Sequence, residues 1–281
     1  MRKTIITAAL ALGLTAPVAA SAAMAAPAYA AAQPVLHTAN WAGYIVTAPA
    51  GRHVGIVSAY WTVPQARPGH SVGKPPYQAA MWVGIDGDSY FGQKYGPFQC
   101  GVYETTSSKT RQPEYDLFWE MAPYGIQFFK DQHGQKTHVR PGDHILAQVS
   151  YGIQPQYSWY RKFTFSVTVN GVWHSITQAP GAGWRVDRHT AEVISEAPTV
   201  GSTKNIPGML DMGTVNYHHT SYALDSIASP GWRDSKPWQL TAGPGIDLWH
   251  GARQVVRVTP PSASPGSPGP DRFATVVTGR W

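Results

Sequence analysis

The sequence predicts an all-β protein, a sandwich or a barrel, and three observations carry that prediction. Helical periodicity of apolar residues is nearly absent along the 281 residues. Short apolar or alternating runs recur instead, separated by Gly, Pro, Asn and Asp. Eleven Trp and fourteen Tyr supply the large aromatic side chains that strands favour and that dominate burial in sheets.

In chain order, the runs that read as strands are 54–63, 79–85, 98–105, 115–121, 144–150, 162–169, 172–177, 191–196, 213–217, 254–258 and 273–277. Asp86-Gly87 closes the second of these with a turn pair. Pro141-Gly142-Asp143 is a turn ahead of 144–150. Asn170-Gly171, between two alternating runs, is the strongest hairpin signal in the chain. Residues 260–270 are rich in Pro, Ser and Gly, but a strand-like run follows at 273–277. They are expected to be a long surface loop within one domain. Residues 219–253 show no clear period, and the chain has no internal repeats.

The first thirty residues read as a secretory signal peptide. Arg2 and Lys3 precede an apolar run over 5–20, with small-residue sites at Ala20-Ser21-Ala22 and Ala28-Tyr29-Ala30. Pro17 interrupts the run, which is too short for a membrane span. The expectation is a secreted, extracellular domain over 31–281, with room for a short propeptide within 31–50. Cys100 is the only cysteine, so no intrachain disulfide is possible. A lone Cys in an exported chain reads first as a buried small hydrophobe. The net charge of +6 becomes +4 without Arg2 and Lys3 (6 − 2), spread thinly and with no Lys/Arg run. That argues against a nucleic-acid partner.

For chemistry, the stretch Met81-Trp82-Val83-Gly84-Ile85-Asp86-Gly87 stands out. A period of 2 puts Trp82, Gly84 and Asp86 on one face of a strand, with Val83 and Ile85 behind. The glycine leaves room for a ligand or another backbone. Run 115–121 likewise puts Asp116, Phe118 and Glu120 on one face, and run 191–196 does so for Glu192, Ile194 and Glu196. Gln99 lies opposite Phe98 and Cys100. Alternating charges are normal on a solvated sheet. Carboxylates beside aromatics on several strands suggest instead a polar groove. His-Glu-x-x-His, Gly-x-Ser-x-Gly, phosphate-loop and paired-Cys zinc patterns are all absent. His218-His219 is a weak metal signal, since strand neighbours point to opposite faces.

Trp82-Val83-Gly84-Ile85-Asp86-Gly87, Phe98-Gln99-Cys100-Gly101-Val102 and Thr190-Ala191-Glu192-Val193-Ile194-Ser195-Glu196-Ala197-Pro198 resemble, in order and character, the glutamic peptidases (eqolisins, peptidase family G1). Asn40-Trp41-Ala42-Gly43-Tyr44, Trp61-Thr62-Val63-Pro64, Phe118-Trp119-Glu120 and Asp211-Met212-Gly213-Thr214-Val215 extend the likeness from about Asn40 to Tyr217. The resemblance implies a β-sandwich of two antiparallel sheets, a concanavalin-like jelly roll with a concave catalytic sheet. It implies an endopeptidase acting on protein or peptide substrates, with no cofactor and no metal. It places the catalytic dyad on Glu192 and Gln99. It places Trp82 and Asp86 along the cleft, with Glu120 and Asp116 as further carboxylates near the substrate. Where the family commonly has Trp after the catalytic Glu, this chain has Val193, and Gln93 is a second amide near the Gln99 position. A monomer is expected, working in acid.

Other readings remain open at this level. A carbohydrate-binding sandwich would use the same aromatic residues. A glycoside hydrolase could pair Glu192 with Glu120. A cysteine hydrolase would need Cys100 beside a histidine, yet Gln99 and Cys100 point apart on a strand.

Overall fold

The structure, a computed structural model, describes residues 35–71, 75–87, 96–107, 112–122, 124–152, 161–184, 186–198, 208–226, 238–239, 244–250, 252–265 and 270–278. The expected signal peptide and Gln93 lie outside the described residues.

The strands are β1 (Leu36–Thr38), β2 (Trp41–Thr47), β3 (Arg52–Thr62), β4 (Gln78–Ile85), β5 (Phe98–Thr106) and β6 (Pro113–Met121). They continue with β7 (Ile126–Phe128), β8 (His144–Tyr151), β9 (Phe163–Val169), β10 (Val172–Gln178), β11 (Thr190–Glu196) and β12 (Thr214–Ser226). The last are β13 (Trp238–Gln239), β14 (Gly245–His250), β15 (Arg253–Val258), β16 (Ser262–Ala263) and β17 (Pro270–Val277).

Two sheets pack face to face. The first runs β7–β6–β5–β4–β11–β2–β14–β15–β17, with β1 added to β14 as its one parallel pair. The second runs β10–β9–β8–β3–β12–β13 and is antiparallel throughout. Strand β12 belongs to both: Thr214–Tyr217 pairs with β17, and His218–Ser226 with β3. It changes sheet at a bulge where His219 has φ 50.

Period-2 alternation sends Met81, Val83 and Ile85, then Phe98, Cys100 and Val102, into the space between the sheets. Aromatic stacks join the layers, Phe98 on Phe163 at 4.2 Å and Trp119 on Phe165 at 5.5 Å. Each fully buried Phe stabilises the fold by about 1.5–3 kcal/mol. Cys100 is buried there, its thiol against the carbonyls of Gln148 and Ser166.

Each expected strand is found. Asn170 and Gly171 both have positive φ, 49 and 87, as a two-residue hairpin of the expected kind needs. Four things differ. Strand β2 is buried on both faces, so it shows no alternation to read. Strand β12 runs on to Ser226, because its bulge breaks the period. The unperiodic tail supplies β14, which lies against β2 and completes the first sheet. Within the expected surface loop, Ser262–Ala263 pairs with β17.

Candidate active site

On the face of the first sheet turned away from the core, strand register lines up three rows of side chains. The first is Ile45, Glu192, Gly84, Gln99, Glu120 and Ile126, taken across β2, β11, β4, β5, β6 and β7. The second holds Ile194, Trp82, Gly101 and Phe118. The third holds Trp41, Glu196, Ala80, Tyr103 and Asp116. Glu192, Gln99 and Trp82 are buried although they lie on the outer face, so this face is recessed rather than open to solvent.

Glu192 and Gln99 flank Gly84, two strand spacings or roughly 10 Å apart at their backbones. The gap is enforced. A Cβ at Gly84 would come within 2.7 Å of Trp82 Cζ3 and 3.4 Å of Gln99 Cβ. The indole therefore lies over the glycine, between the carboxyl and the amide. Gly101, beside Trp82 in register, allows the strands to approach closely, since a Cβ there would lie 1.9 Å from the Met81 carbonyl oxygen.

Trp82 is held by its edge. Its Nε1 donates to Glu196 Oε2 at 2.8 Å, and Asn40 Nδ2 donates to Glu196 Oε1 at 3.0 Å. Trp41 packs edge-on against the indole at 5.1 Å. Burial pushes the Glu196 carboxyl up to about 7, against the opposing pull of the Trp82 hydrogen bond. Alternation in the sequence put Glu196 on the face of Glu192, but its partnership with Trp82 is a contact across strands that no spacing reveals.

Gln99 Nε2 donates to Glu120 Oε2 at 2.7 Å, while Gln99 Oε1 is buried with no hydrogen-bond partner among the described residues. Burial also raises the Glu120 pKa, and the Gln99 bond opposes it. Behind the site, Ser195 Oγ meets Tyr217 Oη at 2.9 Å and Thr275 Oγ1 at 2.7 Å, which ties β11 to the core side.

Asp86 does not sit where alternation places it, and Asp116 keeps its expected face. Strand β4 ends at Ile85, and Asp86 adopts φ 62 beyond it. Its carboxylate turns to the backbone ahead of β11, accepting N–H groups from Arg188 at 2.6 Å, His189 at 2.6 Å and Thr190 at 3.4 Å. Asp86 thus fixes the approach to Glu192 instead of continuing the face of Trp82. Asp116 does share the face of Glu120, but in the third row, paired with Lys136 at 2.8 Å and His138 at 2.6 Å.

Cys100 points into the core, and burial pushes its thiol up to about 12, which removes the cysteine-hydrolase reading. His218 and His219 do not point apart. The bulge brings both rings onto Tyr60, at 5.7 and 5.6 Å. Among the described residues no group of three or more His, Cys, Asp or Glu is arranged to hold a metal ion.

The first sheet of a two-sheet β-sandwich thus carries carboxyls, an amide and an indole together on one face. The family model described as the Peptidase A4 family matches residues 39–242. The chain belongs to this family, the glutamic peptidases or eqolisins, and is an endopeptidase, a hydrolase of peptide bonds. Among solved structures it is similar to Scytalido-glutamic peptidase with a peptide-based transition-state analogue. That match has a TM-score of 0.58 and 18% identity, over 85% of this chain and 98% of the other. It is also similar to SCP-B, an eqolisin in complex with the tripeptide Ala-Ile-His, at TM-score 0.56 and 17% identity over 85% and 98%. Aspergilloglutamic peptidase from Aspergillus niger gives 0.53 and 20% over 72% and 99%. At these identities the likeness concerns the fold. A search of curated proteins found no match.

Proposed function

We propose that Glu192 and Gln99 are the catalytic pair of this peptidase and that a peptide substrate lies across the row they form, against the Trp82 indole that covers Gly84. The observation that carries this reading is the register row in which a carboxyl and an amide face each other across a glycine, under an indole. Ionised Glu192 takes a proton from water as it attacks the scissile carbonyl, then returns it to the departing amine. The open Oε1 of Gln99 accepts from that water. The amide nitrogen has a second N–H beyond the one given to Glu120, and it donates to the developing oxyanion. Loss of such a donor typically costs ~10²–10³ in rate. Trp82 forms the wall over the gap, Glu120 orients the amide, and Asp86 sets the strand that carries Glu192. Asp116 belongs to the far end of the recess.

The raised pKa values of Glu120 and Glu196 favour work in acid. Protonation of these two carboxyls as pH falls reduces the negative charge beside Glu192. We place the enzyme outside the cell, on the signal-like first thirty residues, and take it to act there as a monomer. Sedimentation of the secreted protein checks that assignment.

The test is digestion of a denatured protein from pH 2 to 8 by wild type, Glu192→Gln and Gln99→Ala, each shown to be folded. Cleavage by wild type, abolished by the first substitution and cut at least a hundredfold by the second, supports the pair. Either variant cleaving at the wild-type rate would remove that residue from the mechanism.

A further inference from the structure

The second sheet has a solvent face that the peptidase reading does not use. One register row across it holds His218, Tyr60, Leu146, Thr168 and Trp173, on β12, β3, β8, β9 and β10 in turn. Tyr60 is 38% exposed and Trp173 is 65% exposed, unusual values for side chains this large. They stand three strand spacings apart, roughly 14 Å. Tyr60 is not a loose ring, because His218 stacks on it and His219 meets it edge-on. Trp173 sits beside the Asn170-Gly171 turn, a rigid two-residue hairpin.

The neighbouring row is Ser221, Ser58, Gln148, Ser166 and Ser175. A further hydroxyl pair, Thr164 with Thr177 at 3.0 Å, follows it. The alternate positions that β3, β8, β9, β10 and β12 turn to this face in those rows include no Asp, Glu, Lys or Arg. At the β12 rim stand His144, His218 and His219, the last held by Asp271 at 3.0 Å, with the Arg272 guanidinium near His218.

We propose that this face binds a neutral polysaccharide, whose sugar rings lie across Tyr60 and Trp173 with their hydroxyls on Ser58, Gln148 and Ser175, the solvent-reaching part of the serine row in which Ser166 is buried. Aromatic faces take the C–H side of a sugar ring, and each Ser hydroxyl both donates and accepts. The rows between Tyr60 and Trp173 carry no fixed charge, which matches an uncharged polymer, and the charged groups are confined to the β12 rim. The site lies on the sheet opposite Glu192, so it stands independently of the catalytic assignment. It would keep the peptidase on a polysaccharide matrix while cleaving protein there.

The experiment is depletion of the purified mature protein by microcrystalline cellulose and, in a separate arm, by chitin particles, at low and at 1 M salt. Wild type is compared with Trp173→Ala and Tyr60→Ala, each checked by melting temperature and by cleavage of a soluble peptide. The expected result is salt-insensitive depletion on at least one polymer, weakened at least tenfold in both variants, with peptide cleavage unchanged. No depletion by either polymer overturns the proposal, as does equal depletion by the variants. Concentration-dependent self-association abolished by Trp173→Ala would show the face to be a protein interface and overturn it too.

Discussion

Trp82 and Glu196 are joined by a hydrogen bond of 2.8 Å from the indole nitrogen to Oε2, and this bond sets where the ring lies. The ring covers Gly84, the gap between Glu192 and Gln99. Glu196 itself is held by Asn40. A carboxyl in the third row thereby shapes the space in the first.

Glu196→Ala leaves a buried indole N–H without its acceptor and frees the ring. Such a bond is worth about 1.5–3 kcal/mol, so kcat/KM should fall by about 10- to 100-fold. Glu196→Gln keeps an acceptor and should retain most of the activity. Combined with Trp82→Phe, the alanine change should add little further loss. Simple additivity in that cycle would mean that the two residues act separately.

Gly84→Ala tests the gap directly. The added carbon would lie 2.7 Å from Trp82 Cζ3, so the indole must move or the substrate must lift. Misplacement on the ångström scale costs on the order of 10² in rate. The expected outcome is a hundredfold loss in kcat with a melting temperature within a few degrees of wild type. An alanine variant with full activity would show that nothing needs this space.

Asp86→Ala removes the acceptor of three backbone N–H groups ahead of β11. The expected destabilisation in denaturant unfolding is about 2–4 kcal/mol. Activity should fall with it even under conditions where the variant is fully folded, because Glu192 lies only two residues beyond Thr190. Asp86→Asn keeps one acceptor oxygen and should be intermediate in both measurements.

Stability should depend on pH in an unusual direction. Glu104 is buried between the sheets near Tyr115 and Tyr217, neither of its oxygens has a hydrogen-bond partner among the described residues, and burial raises its pKa well above the ordinary 4.5. Burial likewise pushes Asp86 from 3.8 to about 6 and Glu196 from 4.5 to about 7. A carboxyl whose pKa is higher in the folded state contributes stability that is fully present below its unfolded value and is lost as pH rises through the folded value. The melting temperature should therefore fall between about pH 4 and pH 7. His53 and His218, lowered from 6.5 mainly by burial, oppose this trend in acid, but less strongly because both are partly exposed. Glu104→Leu should flatten the decline toward high pH. An unchanged profile in that variant would shift the effect onto Asp86 and Glu196.

The fold was legible where one sheet face is wet and the other dry. Runs such as 162–169 and 172–177 alternate, and the Asn170-Gly171 turn between them fixes their register. It was not legible in β2, buried on both faces, nor across the β12 bulge, where His219 leaves the period and both histidines turn to Tyr60. Asp86 shows the same limit. Its place after Ile85 continues the alternation on paper, yet one residue at φ 62 redirects the side chain to the backbone of β11.

The sequence by itself determined the all-β class, the inward set of apolar residues and the single face shared by Glu192, Ile194 and Glu196. Those properties depend only on alternation along one strand. Only the tertiary structure decided that Glu192, Gly84, Gln99 and Glu120 stand in one row, that Trp82 is pinned by Glu196, and that Asp86 supports the site from behind. Each of these relations joins residues 15 to 114 positions apart. Strand order and register create such relations, and both are set by the packing of the whole sandwich, not by any local run of residues.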